Sequence, residues 1–133
     1  MGRDTNQAMK NKEFILHYYN TVSGVIKTPE MLRRFTDDPV LIDTITFFDG
    51  AFPKYEMIAE EMTAEGNRVV VRARMKGKHE GEWEGIMPTH RQVEFPVVVS
   101  YEIVNNKIVT HWLVADPSVL MEQLGVDTIN KTG

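Results

Sequence analysis

Cysteine is absent from this 133-residue chain, which excludes disulfides, thiolate metal centres and a cysteine nucleophile. Positive charge is not in excess either, since 15 basic residues stand against 19 acidic ones for a net charge of −4. Binding nucleic acid requires a basic face that neutralises phosphates, so that class of partner is set aside. The densest basic clusters, Arg33-Arg34 and Arg72-x-Arg74, are too small to form such a face. No apolar run approaches the roughly 18 residues of a membrane helix, and the N-terminus lacks a signal-peptide core. Asn6 stands where a myristoylation signal wants Ser or Thr. By these missing signals the expectation is a cytoplasmic protein without membrane contact. The four histidines never fall into an H-x-H or H-E-x-x-H arrangement, so no metal site is expected.

What the chain does contain reads as one domain over residues 1–133, with 127–133 as a frayed polar tail. The first half is helical. Asp4 or Thr5 can cap a helix whose broad apolar stripe carries Ile15, Tyr18, Tyr19 and Val22. Thr28-Pro29 and Asp38-Pro39 each pair an N-cap with a proline at the first helical position. The third helix then presents Leu41, Ile45 and Phe48 and ends before Pro53.

After Pro53 the period changes from helical to alternating. Tyr55–Thr63 and Arg68–Gly77 read as a hairpin around Gly66-Asn67. Gly77, Gly81 and Gly85 suggest a bent or bulged strand around Trp83. Val93–Val104 and Lys107–Ala115 form a second hairpin about Asn105-Asn106. A last helix covers roughly Pro117–Leu124, with Gly125 as its stop. Helices first and an antiparallel meander afterwards make an α+β fold, with helices on one face of a curved sheet. Val93, Phe95, Val97, Val99, Tyr101 and Ile103 share one phase, yet Val98 and Val104 on the other phase also want cover. A homodimer interface would supply it.

The strand that runs into Asp116 raises the functional question. Alternation puts Asp116, Val114 and Trp112 on one face. There the acid is either partly desolvated, with its pKa raised toward neutrality as proton transfer requires, or it caps the helix that opens at Pro117. Capping would lower its pKa instead. By the same alternation His111 faces the opposite side, toward the surface or an interface.

The run Gly77-Lys78-His79-Glu80-Gly81-Glu82-Trp83-Glu84-Gly85-Ile86-Met87-Pro88-Thr89 resembles the G-x-H-x-G-x-aromatic-x-G-x-x-P-T run of SnoaL-like polyketide cyclases. Those proteins form part of the nuclear-transport-factor-2-like superfamily. Ala64-Glu65-Gly66-Asn67-Arg68-Val69, Lys107-Ile108, His111-Trp112 with Asp116, and Gln123-Leu124-Gly125 match in the same order. His90 departs from the pattern where a glycine is usual after Pro-Thr, and Asn106 replaces the glycine of the last hairpin turn.

The resemblance implies a cone-shaped fold, a strongly curved antiparallel sheet around an apolar cavity closed by the N-terminal helices. It also implies homodimers and acid/base proton transfer on a small hydrophobic carbonyl compound, as an aldol-type cyclisation or a ketosteroid-isomerase-like isomerisation, without metal or cofactor. Asp116 takes the catalytic acid/base position, and His79 lies in the same pocket. Because the superfamily uses one scaffold for enzymes and for non-catalytic binding pockets, a ligand-binding or interaction module is the alternative. Trp112, Val114, Tyr101, Trp83, Phe14, Tyr18 and Phe47 are the candidate pocket walls. For each aromatic the competing role is plain core, and for His79 it is a solvent-facing loop position.

Overall fold

The computed structural model describes residues 2–126, with side chains described from Asn6 onward. The expected frayed tail, 127–133, lies outside the described residues. The element order is α1 Gly2–Val22, α2 Pro29–Leu32, α3 Pro39–Ala51, β1 Glu56–Glu65, β2 Arg68–Lys78, β3 Gln92–Val104, β4 Lys107–Ala115 and α4 Pro117–Gln123. The four strands make one open antiparallel sheet in sequence order. This is the α+β arrangement that the helix-then-strand pattern predicts.

Local chemistry sets most boundaries. Thr28, Asp38 and Asp116 each accept a backbone N–H from the first turn of the following helix, and each precedes a proline. Asn105 and Asn106 adopt φ of 52° and 58°, the left-handed pair that a two-residue hairpin demands and that asparagine tolerates. His90, at φ 60°, takes the conformation that glycine would adopt in that place.

Helix α1 lies over β1 and β2, and α4 lies against β3. The core between helices and sheet collects Ile15, Leu32, Phe35 and Phe52 with the alternating residues Val69, Val71 and Ala73 of β2. On β3 the expected phase from Val93 to Ile103 is buried throughout. Among the described residues no element covers the other face of the sheet. Val70, Val98, Trp112 and Val114 are exposed there, and the strand register sets Val98 opposite Val114.

The glycine-punctuated stretch is a loop rather than a bent strand, with a lone bridge between Trp83 and Ile86. Its backbone has another partner. The N–H groups of Glu80 and Gly81 both donate to the Ala51 carbonyl at 3.0 Å, which satisfies the end of α3 and removes them from the sheet. A side chain at Gly81 would place Cβ 2.2 Å from the Gly50 carbonyl oxygen. Only glycine lets the two backbones meet there.

Candidate functional site

Between the helices and the concave side of the sheet lies a cavity of about 360 Å³, within the range of small-molecule sites. Tyr18, Tyr19 and Val22 contribute from α1, and Leu41, Ile45 and Phe48 from α3. The sheet supplies Met75, Val97, Val99 and Tyr101, and Trp83 closes in from the loop. Tyr18, Tyr101 and Trp83 line this cavity. Two other aromatics do not. Phe14 packs against Phe35 with ring centroids 5.8 Å apart, away from the cavity. Phe47 sits on the outer side of α3 with 60% of its surface exposed.

The wall supplied by β4 is His111, Leu113 and Ala115, not Trp112 and Val114. Trp112 is 71% exposed and Val114 48% exposed on the outer face. The cause is an irregularity in the β3–β4 ladder. Ile103 pairs with Ile108, but Glu102 pairs with Thr110, so one extra residue enters β4 and reverses its inward phase. Ile108 points in, and beyond the irregularity His111, Leu113 and Ala115 stand opposite the inward residues Tyr101, Val99 and Val97. His111 therefore reaches the cavity, contrary to simple counting back from Asp116.

Asp116 escapes that alternation because the chain turns there from β4 into α4. It stands at the cavity rim and is exposed. Its Oδ1 accepts the Ser118 N–H at 3.0 Å and the Ser118 hydroxyl at 2.6 Å. The Ser118 hydroxyl first, and then its backbone N–H, hold the carboxyl below the usual carboxylate range. The capping role is thus formed, and Asp116 is an anion throughout the neutral range. Neither Trp112 nor Val114 desolvates it.

His79 lies on the other side of Phe52. It is fully buried, its ring stacked on Phe52 at 5.1 Å, and it is not among the residues lining the cavity. Nδ1 accepts the Thr89 N–H at 3.1 Å and lies 3.0 Å from the Thr89 hydroxyl, which leaves the ring proton on Nε2. That nitrogen has no partner among the described residues. Asp116 and His79 are not brought together in one pocket.

Two polar features escape motif reading. Lys27 and Asp49 form a fully buried pair at 3.3 Å. Lys27 Nζ also donates to the carbonyls of Tyr55 and Val25 and lies 4.0 Å over the Tyr55 ring. Burial lowers the Lys27 pKa, and Asp49 opposes that shift. Burying each ion costs several kcal/mol, so the full set of partners is what keeps the charge inside. Its result is a fixed Tyr55 ring on the cavity wall. The second feature is a buried hydrogen bond of 2.8 Å between the hydroxyls of Tyr19 and Tyr101. Burial pushes the Tyr19 pKa up to about 12, against the opposing hydrogen bond, and holds those of Tyr18 and Tyr101 well above the tyrosine value.

Among the described residues no group of three or more His, Asp or Glu side chains is placed to hold a metal. No described helix is long and apolar enough to cross a membrane.

Comparison with known proteins places this geometry. AclR of Streptomyces galilaeus superposes with a TM-score of 0.76 at 20% identity, over 94% of this chain and 89% of its own. A SnoaL-like polyketide cyclase of Agrobacterium tumefaciens gives 0.71 at 20%, over 86% and 98%. IdmH of Streptomyces antibioticus gives 0.71 at 21%, over 87% and 99%. At such identities the likeness is one of fold, the cone of helices and curved sheet. Among curated proteins, no sequence matches this one. The SnoaL-like polyketide cyclase family matches residues 18–124, and the chain belongs to that family.

Proposed function

We propose that the chain binds one small hydrophobic carbonyl compound per subunit in this cavity. The carrying observation is the cavity itself. It is apolar on most of its wall and ringed by few polar side chains, the usual composition of a ligand site. A homodimer would cover Val70, Val98, Trp112 and Val114 on the opposite face of the sheet without closing the cavity from within. Light scattering should then give twice the monomer mass, and Trp112→Glu should return it to the monomer.

Trp83 reports on binding, because it lines the cavity while Trp112 lies outside. In a Trp112→Phe protein, a flat aromatic ketone such as 2-acetylnaphthalene should quench the remaining indole fluorescence to saturation. A signal that never saturates would mean the cavity takes no such ligand.

A second reading is cofactor-independent proton transfer, favoured by the presence of the Asp116 carboxylate at the rim. A carboxyl held below its ordinary pKa can accept a proton but cannot act as the acid at neutral pH. His79 is walled off by Phe52, so His111 is the histidine placed to serve as its partner. This reading predicts that Asp116→Asn abolishes turnover of a ketone that the cavity binds. Binding that survives with no turnover in either protein leaves the binding module as the function.

A further inference from the structure

Among the described residues, the tyrosines of the cavity wall have more hydroxyl protons than hydrogen-bond partners. Tyr18, Tyr19, Tyr55 and Tyr101 all line it, and each is at least 95% buried. The rings of Tyr18, Tyr19 and Tyr101 form one cluster, Tyr18 lying 5.6 Å from Tyr19 and 6.2 Å from Tyr101 between centroids, while Tyr55 packs edge-on to Phe48. Four hydroxyls carry four protons. One is used within the Tyr19–Tyr101 bond. Among the described residues no group hydrogen-bonds the hydroxyl of Tyr18 or Tyr55. Among the described residues neither hydroxyl is a sealed atom without a partner, as His79 Nε2 is, and both residues line the cavity. Across the ladder from Tyr101 stands His111, which also lines the cavity.

We infer that this tyrosine cluster is the specificity-determining element of the cavity, in which the hydroxyls of Tyr18 and the Tyr19–Tyr101 pair donate to an acceptor oxygen of the ligand, a carbonyl or an enolate. The inference rests on the cavity being the binding site and adds which groups read the ligand. Burial, the largest cause at each, raises the pKa of all four phenols, so they meet the ligand as donors. The ligand supplies the acceptor that the protein withholds. Asp116 stands at the rim of the same wall, just past Ala115, which is four strand positions or about 13 Å beyond His111. An elongated ligand with an acceptor oxygen at its deep end and a hydrogen-bond donor at its outer end would satisfy both.

Two probes of equal size test this, 2-acetylnaphthalene and 2-ethylnaphthalene, which differ in one carbonyl. In the intact protein the carbonyl stretch of bound 2-acetylnaphthalene should fall below its position in hexane. Tyr18→Phe should weaken that ketone about three- to tenfold, the worth of one hydrogen bond, and leave 2-ethylnaphthalene unchanged. Among the described residues the Tyr18 hydroxyl has no partner to lose, so folding is not at stake. Tyr101→Phe should act in the same direction. A hexane-like carbonyl band, or equal losses for both probes, overturns the inference while binding itself stands. Failure of both probes to bind the unaltered protein contradicts the cavity as a ligand site, and the inference falls with it.

Discussion

His79 and the Lys27–Asp49 pair on one hand, and Asp116 on the other, are polar groups beside the same cavity that behave oppositely. His79 and the Lys27–Asp49 pair are buried behind or beneath the cavity wall. Asp116 faces solvent at the rim, held by Ser118. The sealed groups contribute rigidity. They fix the 79–91 loop and the Tyr55 ring, and none offers a free atom to a ligand in the cavity. Asp116 offers its charge but has no desolvation to raise its pKa. A polar residue next to a cavity is therefore not yet a polar residue of that cavity: Phe52 stacks on His79, and Phe48 stacks on Phe52 and lines the cavity.

Substitutions should separate the two kinds by stability against binding. Lys27→Met should have the largest effect, about 3–5 kcal/mol lost in urea unfolding, because Asp49 would remain buried without its cation. His79→Ala should cost about 2–4 kcal/mol, as buried large-to-small changes do, while the ligand affinity of the folded fraction stays within about threefold. Should affinity collapse instead with stability intact, His79 belongs to the cavity after all. Ala115→Trp faces the cavity and should invert the pattern, lowering ligand affinity about tenfold or more with stability changed by about 1 kcal/mol.

The smallest effect should come from Asp116→Asn. Asparagine caps a helix as well as aspartate, so melting at neutral pH should hardly move. The acid limb should differ. With its folded pKa below the unfolded value, Asp116 stabilises the fold above about pH 3.9. That contribution is lost as pH falls through the lower folded value. Melting curves between neutral pH and pH 2 should show the asparagine variant losing less stability than the unaltered protein. An identical slope would mean the carboxyl is not held down.

Much of this was legible in the sequence where local chemistry decides. Thr28-Pro29, Asp38-Pro39 and Asp116-Pro117 carry their caps within two or three residues, and the inward phase of β3 is written in its alternating Val, Phe and Tyr. What required long-range contacts was not. The reversal in β4 depends on how Thr110 meets Glu102, so counting from Asp116 turned Trp112 and Val114 inward and His111 outward. The loop around Trp83 reads as a strand until its N–H groups are seen to bond Ala51. Lys27 and Asp49 are 22 residues apart, with no spacing rule to join them. For the Tyr19–Tyr101 bond, the apolar stripe of α1 and the phase of β3 placed both residues inside, but only the packing of the helix on the sheet brings the hydroxyls together.

The central claim, a ligand cavity on one face of the sheet, is tested most directly by methyl NMR during titration with 2-acetylnaphthalene. The account predicts that methyl signals of Val97, Val99, Leu113 and Ala115 shift to saturation, while those of the outward Val98 and Val114 stay in place. Shifts confined to Val98 and Val114, or no shifts at all, would contradict it.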